Sequence, residues 1–403
     1  MSALPFDIAP VLSHAPERET SVRPWGADVK RILCVRLDRL GDILMTTPAI
    51  HALRAAMPGR HITLLTSSVG AQAAPFLSDV DDVIAYDAPW HGPTGTSRQA
   101  EFAMQRRLEA GHFDAAAIFT VYSQSALPAA MLCYLAGIGR RLAHCRENPY
   151  GLLTDWVCET EPHAGVRHEV ERQLALAASV GATCADTRMR FHVGNPAREA
   201  LSTRLAARGI APYGPWFVLH PGASAPSRRY PPERFGEVAG RLARSSPWPI
   251  LLTGSADEAP LIGEAIAAAG PAVRARLHDL SGLLNIAELA ALIERAAVLV
   301  SNNSGPVHLA SALATPVVDL YALTNPQHTP WQTEQRVLFR DVDCRWCYRG
   351  VCPQGHHRCL LGVPASEVAD AALELAAERR SKPPIDGWRT DADTASATAS
   401  IPS

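Results

Sequence analysis

Length, composition and charge restrict the class of protein. The 403 residues exceed what one hydrophobic core usually serves, so two domains are expected, and no apolar stretch is long enough for a membrane-spanning helix. A net charge of −2 argues against a nucleic-acid-binding protein, and nine cysteines, an odd number, fit reduced thiols better than a disulfide framework. Because the first residues hold prolines and acids instead of a basic start with an apolar core, we expect a cytoplasmic protein.

The first half of the chain alternates between strand and helix patterns. Residues 1–28, rich in proline and charge, are expected to form a flexible extension. Strands are predicted over Arg31–Leu37, His61–Thr66, Val83–Tyr86, Ala115–Thr120 and Arg141–His144, and helices over Ile43–Met57, Ala100–Ala110 and Ala126–Ala136. Alternation at this spacing predicts a parallel sheet covered by helices on both faces, in a first domain over residues 29–192.

A second series of the same kind follows. Helices are predicted over His168–Val180 and Pro196–Arg208, the second of them in a linker over residues 193–212. The second domain, residues 213–380, is predicted to contain strand Trp216–His220, helix Pro232–Arg244, strand Ile250–Thr253, helices Glu258–Ala269 and Ile286–Ala296, and a strand, helix and strand between Ala297 and Tyr321. Residues 381–403 have the composition of a disordered tail. We therefore expect an α/β protein of two doubly wound, Rossmann-like domains, with ligands in the cleft between the carboxyl ends of their strands.

The rest of the chain is organised around the stretch Ala297–Tyr321. An apolar strand pattern meets small polar residues at 302–305, and an apolar segment at helical spacing follows. Ser304 or Gly305 suits the N-cap. Pro306 suits the first helical position, because its missing N–H would have had no intrahelical partner.

This turn is a candidate phosphate site. A helix that opens at the carboxyl end of a buried strand offers free backbone N–H groups and a partial positive charge. The small side chains of Asn303, Ser304 and Gly305 allow a pyrophosphate to approach, and His308, one turn further, is within reach of it. The alternative is a tight turn without a ligand, in which His308 only contacts a neighbour.

The turn after the first strand of the chain carries candidate catalytic groups. Gly41 frees the backbone there, and Asp42 precedes a helix and faces the predicted cleft, with Asp38 as a second carboxylate. The alternative is that Asp42 is an ordinary helix N-cap. Neither GxGxxG nor GxxxxGK[ST] follows the strand, which argues against a dinucleotide-dependent oxidoreductase built on the same type of sheet.

Small residues also follow the first strand of the second domain, where Gly222 and Ser224 repeat the phosphate-loop pattern. Arg228 and Arg229 lie just beyond them. Two guanidinium groups can clamp a diphosphate bidentately, although adjacent arginines on a loop are often only surface charges.

A further strand of the second domain ends at Gly254, and Glu258 comes shortly after it. A carboxylate in this position suits the hydroxyl groups of a ribose. The sequence therefore predicts a nucleoside-binding end of the cleft beside the predicted phosphate sites.

Four cysteines near the end of the second domain have the residue types and close spacing of a metal site. They are Cys344, Cys347, Cys352 and Cys359, with His356 and His357 between them. A structural zinc or iron ion is one interpretation, and reduced, unliganded thiols are the other.

These motifs, taken together and in this order, resemble glycosyltransferase family 9, the ADP-heptose:lipopolysaccharide heptosyltransferases. The resemblance rests on the segments 31–59, 220–235, 251–258 and 280–318. It implies a GT-B architecture, in which the amino-terminal domain binds the acceptor and the carboxyl-terminal domain binds the nucleotide sugar. It also implies inverting transfer of a heptose or related sugar from an ADP-sugar to the lipopolysaccharide core, without a cofactor, by a protein in peripheral contact with the cytoplasmic face of the inner membrane.

Carried over to single residues, the resemblance makes Asp42 the catalytic base. Arg228 matches a residue that contacts the donor phosphates and is more often lysine. Glu258 matches a carboxylate suited to the ribose, and the helix that opens after Ser304 supplies backbone groups to the diphosphate.

Asn303 departs from the family pattern, because the family usually has Asp-Ser-Gly where this chain has Asn-Ser-Gly at 303–305. The departure leaves open a catalytically silent relative that acts as a binding subunit, although the intact Asp42 argues against it. Within the enzyme interpretation, another nucleotide sugar or a protein acceptor is the alternative.

Overall fold

The first half of the chain forms a six-stranded parallel sheet. The computed structural model describes residues 22–92, 97–212 and 214–380. The strands are β1 (Arg31–Val35), β2 (His61–Thr66), β3 (Asp82–Ala85), β4 (Ala115–Ile118), β5 (Arg140–Cys145) and β6 (Asp155–Cys158). The helices are α1 (Leu40–Ala55), α2 (Arg98–Ala110), α3 (Leu127–Leu135) and α4 (Glu169–Ser179). The strand order is β3-β2-β1-β4-β5-β6.

The second half forms another six-stranded parallel sheet. Its strands are β7 (Phe217–His220), β8 (Ile250–Leu252), β9 (Leu277–Asp279), β10 (Val298–Asn302), β11 (Val317–Leu320) and β12 (Gln335–Leu338). The helices are α5 (Asn195–Ala206), α6 (Pro232–Ser245), α7 (Ala259–Ala268), α8 (Ile286–Glu294), α9 (Gly305–Ala312), α10 (Arg358–Leu361) and α11 (Ala365–Arg380). The strand order is β12-β11-β10-β7-β8-β9.

Both sheets have the same topology. If each half is numbered from its own first strand, the order is 3-2-1-4-5-6 in both, with the first and fourth strands adjacent. The direction of winding reverses between β1 and β4 and between β7 and β10, and this switch point is where doubly wound sheets bind ligands. The predicted class, two doubly wound α/β domains, is confirmed.

The central strands and the edge strand β3 were predicted, and the other three edge strands were not. No strand was predicted at β6, β9 or β12, and all three lie at sheet edges. Edge strands need fewer apolar residues than central ones, since one side of the strand has no neighbour to pack against. β10, by contrast, is buried along its whole length and was recognisable from its apolar run.

The two halves share part of their hydrophobic core. Helix α1 packs against both α4 and α9, and one cluster of buried side chains joins residues of α1, α5, α8 and α9. The predicted linker contains α5, which packs on α8 and forms ion pairs from Arg198 to Glu294 and from Arg204 to Glu288.

The amino-terminal segment is anchored where the structure describes it. Trp25, within the predicted extension, is buried in the core, and its backbone N–H donates to the carbonyl of Val180. The flexible-extension prediction is therefore wrong for residues 22–28, because an apolar side chain outweighs the loop-like composition around it. Residues 1–21 and the predicted tail, 381–403, lie outside the described residues. Among the helices that the structure describes, none is both long and apolar enough to cross a membrane.

Candidate active site

A cavity of about 1030 Å³ lies between the carboxyl ends of the two sheets. The loops after β1 and β4 line it from the first half, and the loops after β7 and β10 line it from the second half. These are the loops at the two switch points, so the fold places the chemistry where the strand order predicts a ligand.

Asp42 lies in the first turn of α1 at the wall of this cavity. Its Oδ1 accepts a hydrogen bond from Nη2 of Arg36 at 3.1 Å. The fully buried Arg36 also contacts Asp38 (Nε to Oδ2, 2.8 Å) and Glu169 (Nη1 to Oε1, 2.9 Å). One guanidinium therefore orients three carboxylates, and Asp42, with 23% of its side chain exposed, is the most accessible of them.

The same cluster of charges determines the pKa values of Asp42 and Asp38. Burial, followed by repulsion from Asp38, raises the pKa of Asp42, and attraction to Arg36 offsets only part of the rise. Burial would also raise the pKa of Asp38, but Arg36 and hydrogen bonds from His91 and Gln124 outweigh it and lower that pKa. Asp38 therefore keeps its negative charge, while Asp42 takes up a proton more readily than an ordinary aspartate, as a general base must.

Gly41 allows the two halves of the chain to meet. A Cβ atom at this position would lie 2.6 Å from Cδ2 of His308, so α1 and α9 approach more closely than a larger residue permits. His308 is buried, and burial, followed by the neighbouring His328 and His168, lowers its pKa well below the usual value. Its imidazole is therefore neutral at neutral pH. Gly41 and His308 both line the cavity.

The amino end of α9 opens into the cavity. Ser304 is the N-cap, but its hydroxyl donates to the carbonyl of Asn302 at 3.1 Å and does not cap the helix. Within the described part of the chain, the backbone N–H groups of Ser304 and Gly305 donate to no other residue. Free N–H groups at a helix start are the chemical basis of anion binding.

Arg228 lines the cavity from the loop after β7, and Ser224 lies exposed beside it. Its guanidinium forms no hydrogen bond or ion pair with the residues that the structure describes, which leaves one positive charge available to a ligand. Arg229 points elsewhere, and its Nε donates to the carbonyl of Ala223 at 2.8 Å. The predicted pair of guanidinium groups is therefore reduced to one in the cavity, because adjacent residues of an irregular loop point in different directions.

Glu258 lines the cavity near the end of β8, where its Oε2 accepts a hydrogen bond from the backbone N–H of Ser255 at 2.8 Å. A Cβ atom at Gly222 would lie 2.1 Å from Oε1 of Glu258, and one at Gly254 would lie 3.1 Å from Oε2. Neither glycine lines the cavity. The two glycines make room for the Glu258 carboxylate, and this carboxylate is the group that a ligand meets.

Asn303 lines the cavity beside Ser304, although only 5% of it is exposed. Its side-chain amide donates to Oδ2 of Asp319 at 2.9 Å and to the carbonyl of His328 at 2.8 Å. The residue that departs from the family pattern is thus held by two hydrogen bonds at the wall of the cavity.

The four cysteines are free thiols outside the cavity. Sγ of Cys344 lies 3.7 Å from Nε2 of His356. In the described part of the chain, however, no group of three His, Cys, Asp or Glu side chains could hold a metal ion. The arrangement of Cys344, Cys347, Cys352 and Cys359 thus does not match the predicted metal site, because spacing along the chain does not determine where the thiols point.

Residues 121–123 after β4 and two cavity-lining segments of the second half escaped the sequence analysis. The first of these two segments follows β11 and contributes Thr324, Asn325, Gln327 and His328. The polar residues of this segment, which begin four positions after the end of a buried strand, were the available signal. The second is the loop 348–350, which is held at the cavity by hydrogen bonds from the backbone N–H of Tyr348 to Thr324 and from Ser227 to the carbonyl of Arg349. No local pattern indicates this contact.

The fold and the site together define the class of protein. Two doubly wound domains that face each other across a cleft are the GT-B architecture, which is the fold of many glycosyltransferases. The chain belongs to glycosyltransferase family 9 (heptosyltransferase), whose sequence profile matches residues 102–357, and it is a glycosyltransferase.

Similar proteins cover nearly the whole chain. Lipopolysaccharide heptosyltransferase 2 of Salmonella typhimurium is 26% identical over 366 residues, which cover 86% of this chain and 99% of the relative. The family 9 glycosyl transferase of Veillonella parvula has a similar structure, with a TM-score of 0.75, 21% identity, and coverage of 88% of this chain and 100% of that one. The E. coli ADP-heptose lps heptosyltransferase II has a TM-score of 0.70, 22% identity, and coverage of 87% and 99%.

Proposed function

We propose that the chain transfers a heptose from ADP-heptose to a hydroxyl group of the lipopolysaccharide core, with inversion at the anomeric carbon. One observation carries the proposal: Asp42 lines a single cavity from the first half of the chain, while the start of α9 and Arg228, which has no partner among the described residues, line it from the second half. The activity named for the Salmonella relative supports the sugar and the acceptor, and the family resemblance supports ADP as the nucleotide.

The reaction is a single displacement. The carboxylate of Asp42 accepts the proton of the acceptor hydroxyl, whose oxygen forms a bond to the anomeric carbon of the donor. The bond between that carbon and the diphosphate oxygen breaks at the same time, and ADP leaves with the electron pair. Attack from the side opposite the leaving group inverts the anomeric configuration.

Negative charge grows on the diphosphate as it leaves, and stabilising this charge is where the site contributes most. Arg228 and the backbone N–H groups of Ser304 and Gly305 are available to receive it. These groups supply at the phosphates the charge that a divalent cation can supply elsewhere, and the proposed reaction uses no cofactor.

The two halves of the chain have separate roles. Residues 213–380 bind the donor, with Glu258 accepting hydrogen bonds from the ribose hydroxyls and Asn303 near the transferred sugar. Residues 29–192 bind the acceptor, and closure of the cleft around both substrates excludes water and limits hydrolysis of the donor. The acceptor is a membrane lipid, so we place the protein in the cytoplasm in peripheral contact with the inner membrane.

Transfer assays with a panel of donors test this function. We expect turnover of ADP-heptose on a lipopolysaccharide-core acceptor, and none with UDP- or GDP-sugars. Asp42→Ala is expected to lower kcat by at least about a hundredfold, the scale for loss of a general base. Asp370→Ala, at an exposed position on α11, is the matched control and keeps wild-type turnover.

Three results would contradict the proposal. Donor binding without turnover in the wild type would identify the silent relative, and turnover with a different nucleotide or with a protein acceptor would identify the alternative substrates. Equal losses in Asp42→Ala and Asp370→Ala would remove Asp42 from the role of base.

A further inference from the structure

A buried carboxyl group lies directly behind the cavity wall. Asp319, on β11, is fully buried, and its Oδ2 accepts the hydrogen bond from Nδ2 of Asn303. Its second oxygen, Oδ1, has no partner among the described residues. Burying a carboxyl group is costly, so its presence next to Asn303 requires an explanation.

The contacts of Asn303 determine which end of its amide faces the cavity. Nδ2 donates to Oδ2 of Asp319 and to the backbone carbonyl of His328, which uses both of its hydrogens. A carbonyl can only accept, so the amide cannot be turned round without placing two oxygens together. Oδ1 is therefore the free atom of Asn303, and no residue that the structure describes donates to it.

The position of Asn303 relates this free oxygen to the proposed reaction. Asn303 precedes Ser304 and Gly305, whose N–H groups are assigned to the diphosphate. The backbone of His328 holds it on the other side, and the imidazole of His328 lies close enough to Asp42 to affect its pKa. Asn303 thus lies between the phosphate end and the base, where the transferred sugar must sit.

We propose that Asp319 is a positioning residue for the donor sugar: it fixes the amide of Asn303 so that Oδ1 accepts a hydrogen bond from a sugar hydroxyl. The inference rests on the proposed function, and it names the group that recognises the sugar as distinct from the nucleotide. The family usually has a carboxylate at position 303. In this chain, Oδ1 of Asn303 faces the ligand instead and can only accept a hydrogen bond, while the carboxyl group of Asp319 lies behind it.

The chemistry of Asp319 agrees with this role. Burial raises the pKa of Asp319 to about 8, and the hydrogen bond from Asn303 counteracts only part of the rise. Near neutral pH the group is therefore mainly the neutral acid, whose carbonyl oxygen still accepts the hydrogen bond from Asn303. An asparagine at 319 keeps such an oxygen in the same place, whereas a leucine of similar size does not.

Substitution at 303 and 319 tests the proposal by comparing ADP-heptose with ADP alone. Asp319→Leu and Asn303→Ala are each expected to lower kcat/KM for ADP-heptose roughly five- to tenfold, the scale for one hydrogen bond to the sugar. The affinity for ADP, measured by calorimetry, stays at the wild-type value, since ADP lacks the sugar. Asp319→Asn is expected to recover most of the loss.

The double variant separates positioning from structure. If Asp319 acts through Asn303, Asp319→Leu causes no further loss of kcat/KM when alanine already occupies 303. Asn303→Ala alone tests the role of Oδ1 if Asp319→Leu fails to fold. Additive losses, or a loss of ADP affinity equal to the loss for ADP-heptose, would overturn the proposal and leave Asp319 with a structural role only.

Failure of the proposed function gives a different result. If the wild type transfers no sugar, the transfer reaction is refuted, while the difference in affinity between ADP-heptose and ADP still tests the sugar contact. In that case an equal affinity of Asp319→Leu and the wild type for ADP-heptose would overturn the positioning role, and a selective loss of ADP-heptose affinity would support it.

Discussion

Asp42 shares its surroundings with charges of both signs, and Glu169 is the most deeply buried of the negative ones. Oε1 of Glu169 accepts hydrogen bonds from Nη1 of Arg36 at 2.9 Å and from Nε2 of Gln173 at 2.6 Å. Its negative charge contributes to the raised pKa of Asp42, while Arg36 and His328 act in the opposite direction. A glutamine at 169 keeps the accepting oxygen and removes the charge. The substitution therefore isolates the contribution of the Glu169 charge to the pKa of Asp42.

Glu169→Gln is expected to move the acidic limb of the pH profile of kcat/KM to lower pH. Asp42 works as the carboxylate, so the rate falls as the pH drops through its pKa. Removing a nearby negative charge lowers that pKa, so the limb moves toward acid. The profile measured from pH 4.5 to 9 checks the direction.

Glu109→Gln is the control for this shift, because Glu109 is exposed on α2 and far along the chain from the cluster. It removes the same charge from the surface and should leave the limb in place. An acidic limb that stays in place in Glu169→Gln, or moves to higher pH, would mean that the ionisation of Asp42 does not limit the rate.

Local sequence patterns found site residues in the segments that follow buried strands, such as Asp42, Arg228 and Ser304. They could not find Arg36 and Glu169 as partners, because the contact joins positions 133 residues apart. Nor could they separate Arg228 from Arg229, since the orientation of side chains in an irregular loop depends on the neighbouring carbonyls. A site residue that follows a single strand can therefore be predicted from the sequence, whereas a contact that depends on packing between distant elements cannot.

At the scale of elements, the central strands and the helices after them could be read from the sequence. Apolar runs of four or five residues are needed where both faces of a sheet are covered, and β1, β7 and β10 show such runs. The pattern does not reveal how closely two helices approach. The contact of α1 with α9 depends on Gly41, which the sequence indicated only as a glycine that frees the backbone of a ligand-binding turn.

Gly41→Ala is expected to lower the free energy of unfolding by about 1–3 kcal/mol, the usual cost of overpacking. The new methyl group would overlap the ring of His308, so the two helices must move apart. Urea unfolding followed by tryptophan fluorescence measures the loss. Removing the ring in Gly41→Ala/His308→Ala should recover part of it.

The matched control for this substitution is Gly263→Ala in α7, where an added Cβ meets no atom within 4 Å. Replacing glycine with alanine in open helical surroundings should stabilise the protein by about 0.5–1 kcal/mol. Equal free energies of unfolding for the two variants would show that the contact between α1 and α9 accommodates the added methyl group.

At the scale of the whole molecule, buried neutral histidines dominate the titration near neutral pH. In the described part of the chain, six histidines have a lowered pKa, with burial as the largest cause: His144, His168, His220, His278, His308 and His328. Among the described Asp, Glu and His side chains, three have a pKa that is raised: His91, Asp42 and Asp319. The histidines outnumber them, and four of the six surround the cleft or the contact between the halves.

The sign of the pH dependence follows from proton uptake. A histidine with a lowered pKa stays neutral in the folded protein at a pH where the unfolded chain already binds a proton. Acidification through an unfolded pKa of about 6.5 therefore stabilises the unfolded state by up to about 1.4 kcal/mol per pH unit for each such histidine. The three groups with raised pKa act in the opposite direction, but the six histidines prevail, so stability should fall between pH 6.5 and 5.

His144→Gln tests how much one buried histidine outside the cavity contributes to the pH dependence of stability. Burial, followed by the charge of Arg172, lowers the pKa of His144 to about 3, and its ring lies 3.3 Å from the carbonyl of Arg172 through Nε2. Glutamine can donate to the same carbonyl but does not titrate. Urea unfolding at a series of pH values should therefore show a slope shallower by about 1.4 kcal/mol per pH unit below pH 6.5. His163→Gln, at an exposed position, should leave the slope unchanged, and equal slopes for all three proteins would show that His144 binds its proton as readily in the folded state as in the unfolded one.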